Sequence, residues 1–542
     1  MIVGNMKESE KFVPSDIELS EQMAITQEDA EKDSSLLSGS SLIFLANIII
    51  SLTGFVLAGI LMHNMPDYVY GMARTLQRAV AISTTIVLNG LGNALAVHLS
   101  EKRGEPQQTS ILIIATTILS IFVGMLFAIG FFFVIKYLFK TDISTFLTDI
   151  EVLLSLFLVF PAAFLVSAFN HALLGLKRVK ENAIAVAIQS IGNLAFTTLF
   201  VYLGSQTFSV IFGLGVASLL SIFYSLFCLR KQLFAFIKRK KPFRNLWKSY
   251  KELRVLLSFS SPLTIAAICS QAIEGVTILI ILIYFNWGHV ALVQLAYFNY
   301  VLMLVIACRI PQISIGKMLL PHLKEYTLND AKKQLHRAIR FLLFIIIPLN
   351  LFVGLFSKEL LQLLAIIIRS KGFWLESGEI TITALLQLLT IGGQSAAIYY
   401  LLVSSCVPLK HPEINAKIEF AGLVANVFLI LYFLPSYGIR GVGFAYLISY
   451  TFMLIYAIIS MALNQIIRAQ SIFEILGTTI VVNAILLLNY FIKFALLWRI
   501  LITAGTLALC FLVIIRINKK DVILTLNLIK HALGRKGKQE QL

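Results

Sequence analysis

The chain has 542 residues, 58% of them hydrophobic and only 13% charged, with a formal net charge of +17. Such a composition excludes an ordinary soluble domain. Basic chains often bind nucleic acid, but here the charges fall in short segments between long apolar stretches, so no nucleic-acid partner is expected.

Residues 1–37 hold three Lys against nine Asp or Glu and have no apolar core. They read as an acidic disordered cytoplasmic tail without a cleavable signal sequence. Between residues 40 and 516, fourteen stretches are long enough to cross a bilayer: 40–62, 74–99, 109–135, 150–173, 182–203, 209–229, 255–285, 290–316, 335–357, 380–405, 415–434, 440–463, 472–492 and 497–517. A span needs ~20 mainly apolar residues, because lipid offers backbone amides no hydrogen-bond partner. The expected fold is therefore all-α, a polytopic membrane protein with short loops.

Lys and Arg in the loops set the orientation. Residues 230–254, after span 6, carry ten, residues 317–340 carry six, and residues 177–180 carry three. The segment from Arg516 to the end carries seven. The loops 204–208 and 286–289, after odd-numbered spans, carry none. Even-numbered loops and both termini are expected in the cytoplasm.

The basic linker 230–254 separates an N-terminal six-helix bundle, 38–229, from a C-terminal one, 255–463. The halves are weakly alike. Ser40-Ser41-Leu42 matches Ser260-Ser261-Pro262-Leu263, Gly54 falls opposite Gly275, and Glu101-Lys102 falls near Lys324-Glu325, at an offset of about 220 residues. A parallel repeat puts a substrate site between the halves. Spans 13 and 14, within 464–517, carry few polar residues, Asn483 and Asn489 among them, and read as peripheral. Two cytoplasmic segments have amphipathic spacing and would lie on an anionic leaflet. One holds Phe243, Leu246, Trp247 and Tyr250; the other, in the basic tail 518–542, holds Val522, Ile523, Leu526, Ile529 and Leu533.

Helical projection gathers the polar residues into stripes. Span 1 aligns Asn47, Ser51 and Gly54; span 2 aligns Arg74, Arg78, Thr85 and Asn89. Span 7 aligns Thr264, Gln271 and Glu274; span 8 aligns Gln294, Arg309 and Gln312, with Pro311 as a kink. Span 10 adds Thr383, Gln387, Thr390 and Gln394. Such stripes line an aqueous cavity or pack helices together. An arginine within a span is harder to place by packing alone, since it costs roughly 2.5–3.5 kcal/mol at a helix centre. Guanidinium groups match phosphate with a two-pronged donor fork. Arg74, Arg78 and Arg309 thus suggest a cationic cavity for a phosphate-bearing substrate, or snorkelling and salt bridges. Glu274 reads as the only carboxylate deep in a span, either carrying a coupling proton or Na⁺ or serving as a structural counter-ion. No catalytic residue, metal site or cofactor is expected.

Gly54-Phe55, Tyr70-Gly71, Gly90-Leu91-Gly92, Glu101, Pro262-Leu263, Leu320-Pro321, Pro348-Leu349 and above all Tyr437-Gly438-Ile439-Arg440-Gly441-Val442-Gly443 carry a family resemblance. The chain resembles the multidrug/oligosaccharidyl-lipid/polysaccharide (MOP) exporter superfamily, in its polysaccharide-transporter branch. The resemblance implies a V-shaped pair of bundles in the plasma membrane, working by alternating access as a monomer. It implies a polyprenyl-linked oligosaccharide as substrate, and two extra helices outside the bundles. A cation-coupled drug exporter would call for a more acidic cavity. A membrane-embedded glycosyltransferase or ligase would call for clustered carboxylates or histidines, whereas the longest external loop, 358–379, has Glu359, Glu376 and Glu379 but no His. No nucleotide-binding loop is present, so energy would come from gradients.

Overall fold

The computed structural model describes residues 42–517, apart from 66, 102–105, 139–148, 205, 238–241, 287–288, 324–326, 369–378 and 410. The acidic tail 1–37 and the tail 518–542 lie outside the described residues. Every described element is a helix. In the first half these are α1 (Leu42–Asn64), α2 (Asp67–Glu101), α3 (Pro106–Leu138), α4 (Asp149–Gly175), α5 (Val179–Tyr202) and α6 (Gln206–Ile237). Then come α7 (Pro242–Tyr284), α8 (His289–Cys308), α9 (Ile310–Leu323), α10 (Leu328–Leu355), α11 (Ser357–Ile368) and α12 (Glu379–Cys406). The last four are α13 (Pro412–Tyr437), α14 (Ile439–Leu463), α15 (Ala469–Ile492) and α16 (Leu496–Ile517).

Helix is the form that lets a long apolar stretch bond its own amides. Eleven of the helices are long and apolar enough to cross a membrane, or twelve when a bent pair counts as one span. Two of the fourteen expected spans fall outside that set. One is α2, which carries Arg74 and Arg78; the other is α16, whose described apolar stretch, Leu496–Ala508, is shorter.

The bent pair is α8 and α9, with a 54° break at Arg309. Pro311 explains the break, because it lacks an N–H and its ring collides with the carbonyl one turn back. The Arg309 N–H instead donates to the Ile306 carbonyl at 2.9 Å. Two further departures concern the loops. The basic linker is largely helical, since α7 starts at Pro242 and continues for 43 residues into the expected span 7. Pro suits a helix start, where its missing N–H is not needed. The stretch 358–379, expected as an external loop, begins within α11, Ser357–Ile368.

The Tyr437–Gly443 motif proves to be the corner between α13 and α14. Gly438 has φ 58°, and a Cβ on Gly441 would lie 2.4 Å from the Phe433 carbonyl oxygen. Side chains are excluded from both positions, by backbone conformation at the first and by close approach at the second.

Buried apolar side chains form two main clusters. One is built by α2, α3, α4 and α6, the other by helices from α7 to α15. A small third cluster joins Leu57, Leu61, Val69, Tyr70 and Ala73 to Val210 and Ala296, so α1 and α2 meet α6 and α8 there. Helix α2 also packs along α7. Large apolar side chains such as Phe428, Tyr432 and Phe473 point outward. With apolar surroundings outside, helices associate through close packing and hydrogen bonds.

Helices α15 and α16 are less bland than their sequence suggests. Glu474 on α15 pairs with Arg340 of α10, and Ser471 bonds His336 Nδ1 at 2.6 Å. Arg499 on α16 reaches Glu359 at 2.7 Å and the Leu355 carbonyl at 3.0 Å. Cys228, Cys269, Cys308 and Cys406 are free thiols.

Candidate functional site

Helix α2 carries Arg74 and Arg78 one turn apart, so both leave the same face. Arg74 donates to Gln77 Oε1 at 2.8 Å and to the Gly54 carbonyl of α1 at 3.5 Å, and stands 5.5 Å from the Tyr70 ring centre. Arg78 crosses to the second half. Its Nη2 pairs with the Glu274 carboxylate of α7, and its Nη1 donates to Asn299 Oδ1 of α8 at 3.4 Å. Both members of the ion pair are largely buried, at 16% and 18% side-chain exposure. Removing one partner from such a pair would strand the other charge.

Arg309 occupies the break between α8 and α9. Its guanidinium lies over the Tyr400 ring of α12, 4.4 Å from the centre. This cation–π contact is worth about 2 kcal/mol where water is excluded. The Tyr400 hydroxyl meets Ser270 Oγ of α7 at 2.9 Å and the Tyr450 hydroxyl of α14 at 3.3 Å. Tyr446 lies against Tyr450, with ring centres 4.4 Å apart. Arg309 Nε has no hydrogen-bond partner, and Glu274 is within electrostatic reach of the guanidinium. Arg78, Glu274 and Arg309 therefore share one locus, held by α2, α7 and the α8–α9 break.

The other expected residues are distributed as follows. Asn47 donates to Ser314 Oγ of α9 at 3.0 Å, a second tie between the halves. Gln312 is buried with its Oε1 unpartnered. Gln271 is half-buried on α7, one turn before Glu274. The side chain of Asn89 lies outside the described residues. In the span 10 stripe, Gln387 reaches the Gly354 carbonyl at 3.4 Å, Thr390 and Gln394 are fully buried in α12, and neither side-chain polar atom of Gln394 has a hydrogen-bond partner.

One expectation is corrected. Glu274 is not the only carboxylate deep in a span. Glu419, on α13, is 2% exposed and its Oε2 has no hydrogen-bond partner. It shares a buried face with Gly422 and Asn426, a helical spacing visible in the sequence. Asn426 in turn donates to Thr277 Oγ1 at 3.2 Å and accepts from Ser449 at 3.3 Å. The tyrosines around Arg309 and Asn299 beside Arg78 were also missed, because aromatic and small polar residues in membrane helices do not stand out singly.

A family model described as polysaccharide biosynthesis protein matches residues 36–326, more than half of the chain. The chain belongs to that family. It is a multi-pass membrane protein of the MOP superfamily. No curated protein sequence matches it. Among solved structures, this family member is similar to a Vibrio cholerae MATE transporter variant, at 15% identity and TM-score 0.60, over 80% of this chain and 98% of that one. It is also similar to a MOP superfamily transporter from Pyrococcus furiosus, at 16% identity and TM-score 0.62, over 79% and 95%. That protein is described by the reverse polarity of its binding pocket and the different function this suggests. An outward-facing multidrug resistance MATE transporter matches at 14% identity and TM-score 0.59, over 82% and 96%. These likenesses show a MATE-like fold, and the matched structures are transporters. The family rests on its own model, and these structures add the fold.

Proposed function

We propose that this MOP superfamily member is a flippase that carries a polyprenyl-phosphate or polyprenyl-diphosphate oligosaccharide across the plasma membrane by alternating access. The observation that carries this reading is the locus formed by Arg78, Glu274 and Arg309. Its guanidinium groups come from opposite halves, and Arg309 keeps Nε free of a protein partner. A diphosphate inserted there would accept from both arginines through the fork geometry that suits them. Arg74, one turn from Arg78, would guide its approach, and Asn47, Gln271 and Gln312 would border the path. Asn89 joins them by its sequence position.

In this reading α2 and α16 also cross the bilayer, giving fourteen spans with both termini cytoplasmic. Two six-helix bundles related by a pseudo-twofold axis enclose the site, with α15 and α16 outside them, and the working unit is a monomer. Glu274 has a coupling role because a phosphate that takes Arg78 would free its carboxylate for a proton or Na⁺.

The test uses the full chain in vesicles of phosphatidylethanolamine and phosphatidylglycerol, with a polyprenyl diphosphate bearing a fluorescent sugar. The wild type moves the sugar to the far leaflet. Arg78→Ala and Arg309→Ala abolish transport, and the Lys variants restore a minor part, since a point charge lacks the fork. Full transport by either Ala variant refutes the phosphate-binding role.

A further inference from the structure

Glu419 is unused by the reading above. It sits seven residues into α13, buried between helices of the second half. No ion-pair partner reaches it among the described residues. An ionised carboxylate without a counter-ion is costly away from water, whereas a neutral carboxyl group needs only hydrogen bonds. Groups able to form them face it, none hydrogen-bonded to it in this structure. Ser270 and Cys269 approach from α7, Tyr399 and Tyr400 from α12, and Arg309 contributes at longer range from the α8–α9 break. The Tyr399 hydroxyl is buried and has no hydrogen-bond partner, like Glu419 Oε2. Hydroxyl groups continue from there in a row. Ser270 meets Tyr400 at 2.9 Å, and Tyr400 meets Tyr450 at 3.3 Å, beside the ring contact with Arg309.

We propose that Glu419 is a proton-binding site of the second half, connected to the Arg309 side of the substrate locus by the hydroxyl row Ser270, Tyr400 and Tyr450. The inference deepens the flippase reading and rests on it for the identity of the cargo. On release the carboxyl O–H bond breaks and its proton passes to Ser270 Oγ. Each hydroxyl accepts one proton on a lone pair and gives up its own. The last proton goes to water beside Arg309, leaving a carboxylate at Glu419 and every hydroxyl restored. The site thus offers a coupling proton a place separate from the ion pair at Glu274. Gain or loss of charge at Glu419 would change the electrostatic balance between α7, α12 and α13.

The experiment has one readout that needs no cargo. Infrared difference spectra of the full-length protein, titrated with acid, show the carbonyl band of a protonated carboxyl group. That band is lost in Glu419→Gln and kept in Glu274→Gln. The second readout is the ratio of transport with and without a pH gradient, using the fluorescent polyprenyl diphosphate. The ratio exceeds one in the wild type and falls in Glu419→Gln. A band that persists in Glu419→Gln, or an unchanged ratio, overturns the proposal. If Glu419→Gln does not fold, Ser270→Ala shifts the band by removing a facing hydroxyl, and an unshifted band overturns it instead. If the wild type moves no polyprenyl probe, the flippase reading fails while the band still decides the role of Glu419.

Discussion

Arg78 and Glu274 separate structure from function at the level of single side chains. Arg78→Ala leaves a buried carboxylate unpaired and should destabilise the protein by about 3 kcal/mol. Adding Glu274→Gln removes the stranded charge, so the double variant should recover most of its thermal stability in detergent while remaining inactive in transport. Recovery of transport along with stability would make the pair purely structural. Tyr400 can be divided in the same way. Tyr400→Phe keeps the ring under Arg309 and loses the hydroxyl bonds, worth about 1 kcal/mol together. Tyr400→Ala also loses the cation–π contact, so probe affinity should fall several-fold further in Ala than in Phe. Equal effects of the two would show that the hydroxyl alone matters. The arginines and Glu274 were legible in the sequence because a charge in an apolar stretch has no ordinary explanation. Their partners were not, since Tyr400, Tyr450 and Ser270 lie on different helices and only the fold brings their hydroxyls together. Glu419 was passed over although its spacing with Gly422 and Asn426 marks a buried face.

Among the elements, the corner between α13 and α14 and the break between α8 and α9 are the most constrained by local chemistry. Gly441→Val would press a branched side chain onto the Phe433 carbonyl, and Gly438→Ala would force a Cβ into a positive-φ conformation, φ 58° and ψ −142°, that costs roughly 1–3 kcal/mol. Thermal unfolding should show the larger loss for Gly441→Val, because backbone cannot move aside as a flexible side chain can. Pro311→Ala restores an N–H and removes the ring, so α8 and α9 should straighten and carry Arg309 away from Tyr400. Spin-label distances across the break would show that change, and weaker probe binding should accompany it. Nearly every helix was legible from hydropathy, since a stretch of ~20 apolar residues in lipid has little alternative. Helix junctions were not. The fusion of the basic linker with span 7 into α7 depends on residues 242–254 finding helical continuity, which alternating charge and apolar side chains allow but do not demand. Docking of α15 escaped notice too, because Arg340 and Glu474 lie 134 residues apart and read separately as loop-edge charges.

Across the whole molecule, most buried apolar contacts stay within one half, while Asn47–Ser314, Arg78–Glu274 and the packing of α2 on α7 tie the halves together. The proposed topology predicts that cysteines at Ser205 and Trp287 react with an impermeant reagent from outside, and cysteines at Lys240 and Leu328 only from inside. Any reversal overturns the orientation and the repeat with it. The clasp between the halves has one further property. Arg78 and Arg309 against Glu274 leave one positive charge in excess, and all three are fixed to helices. If the halves rock about them, these charges hardly travel, and the phosphates of the cargo do. Outward passage of an anionic headgroup is then electrogenic. A cell interior held negative by 100 mV would favour it by about 2.3 kcal/mol for each charge carried through the full field. A potassium diffusion potential imposed with valinomycin should therefore set the direction of net transport, and collapsing it should slow export even where no pH gradient exists.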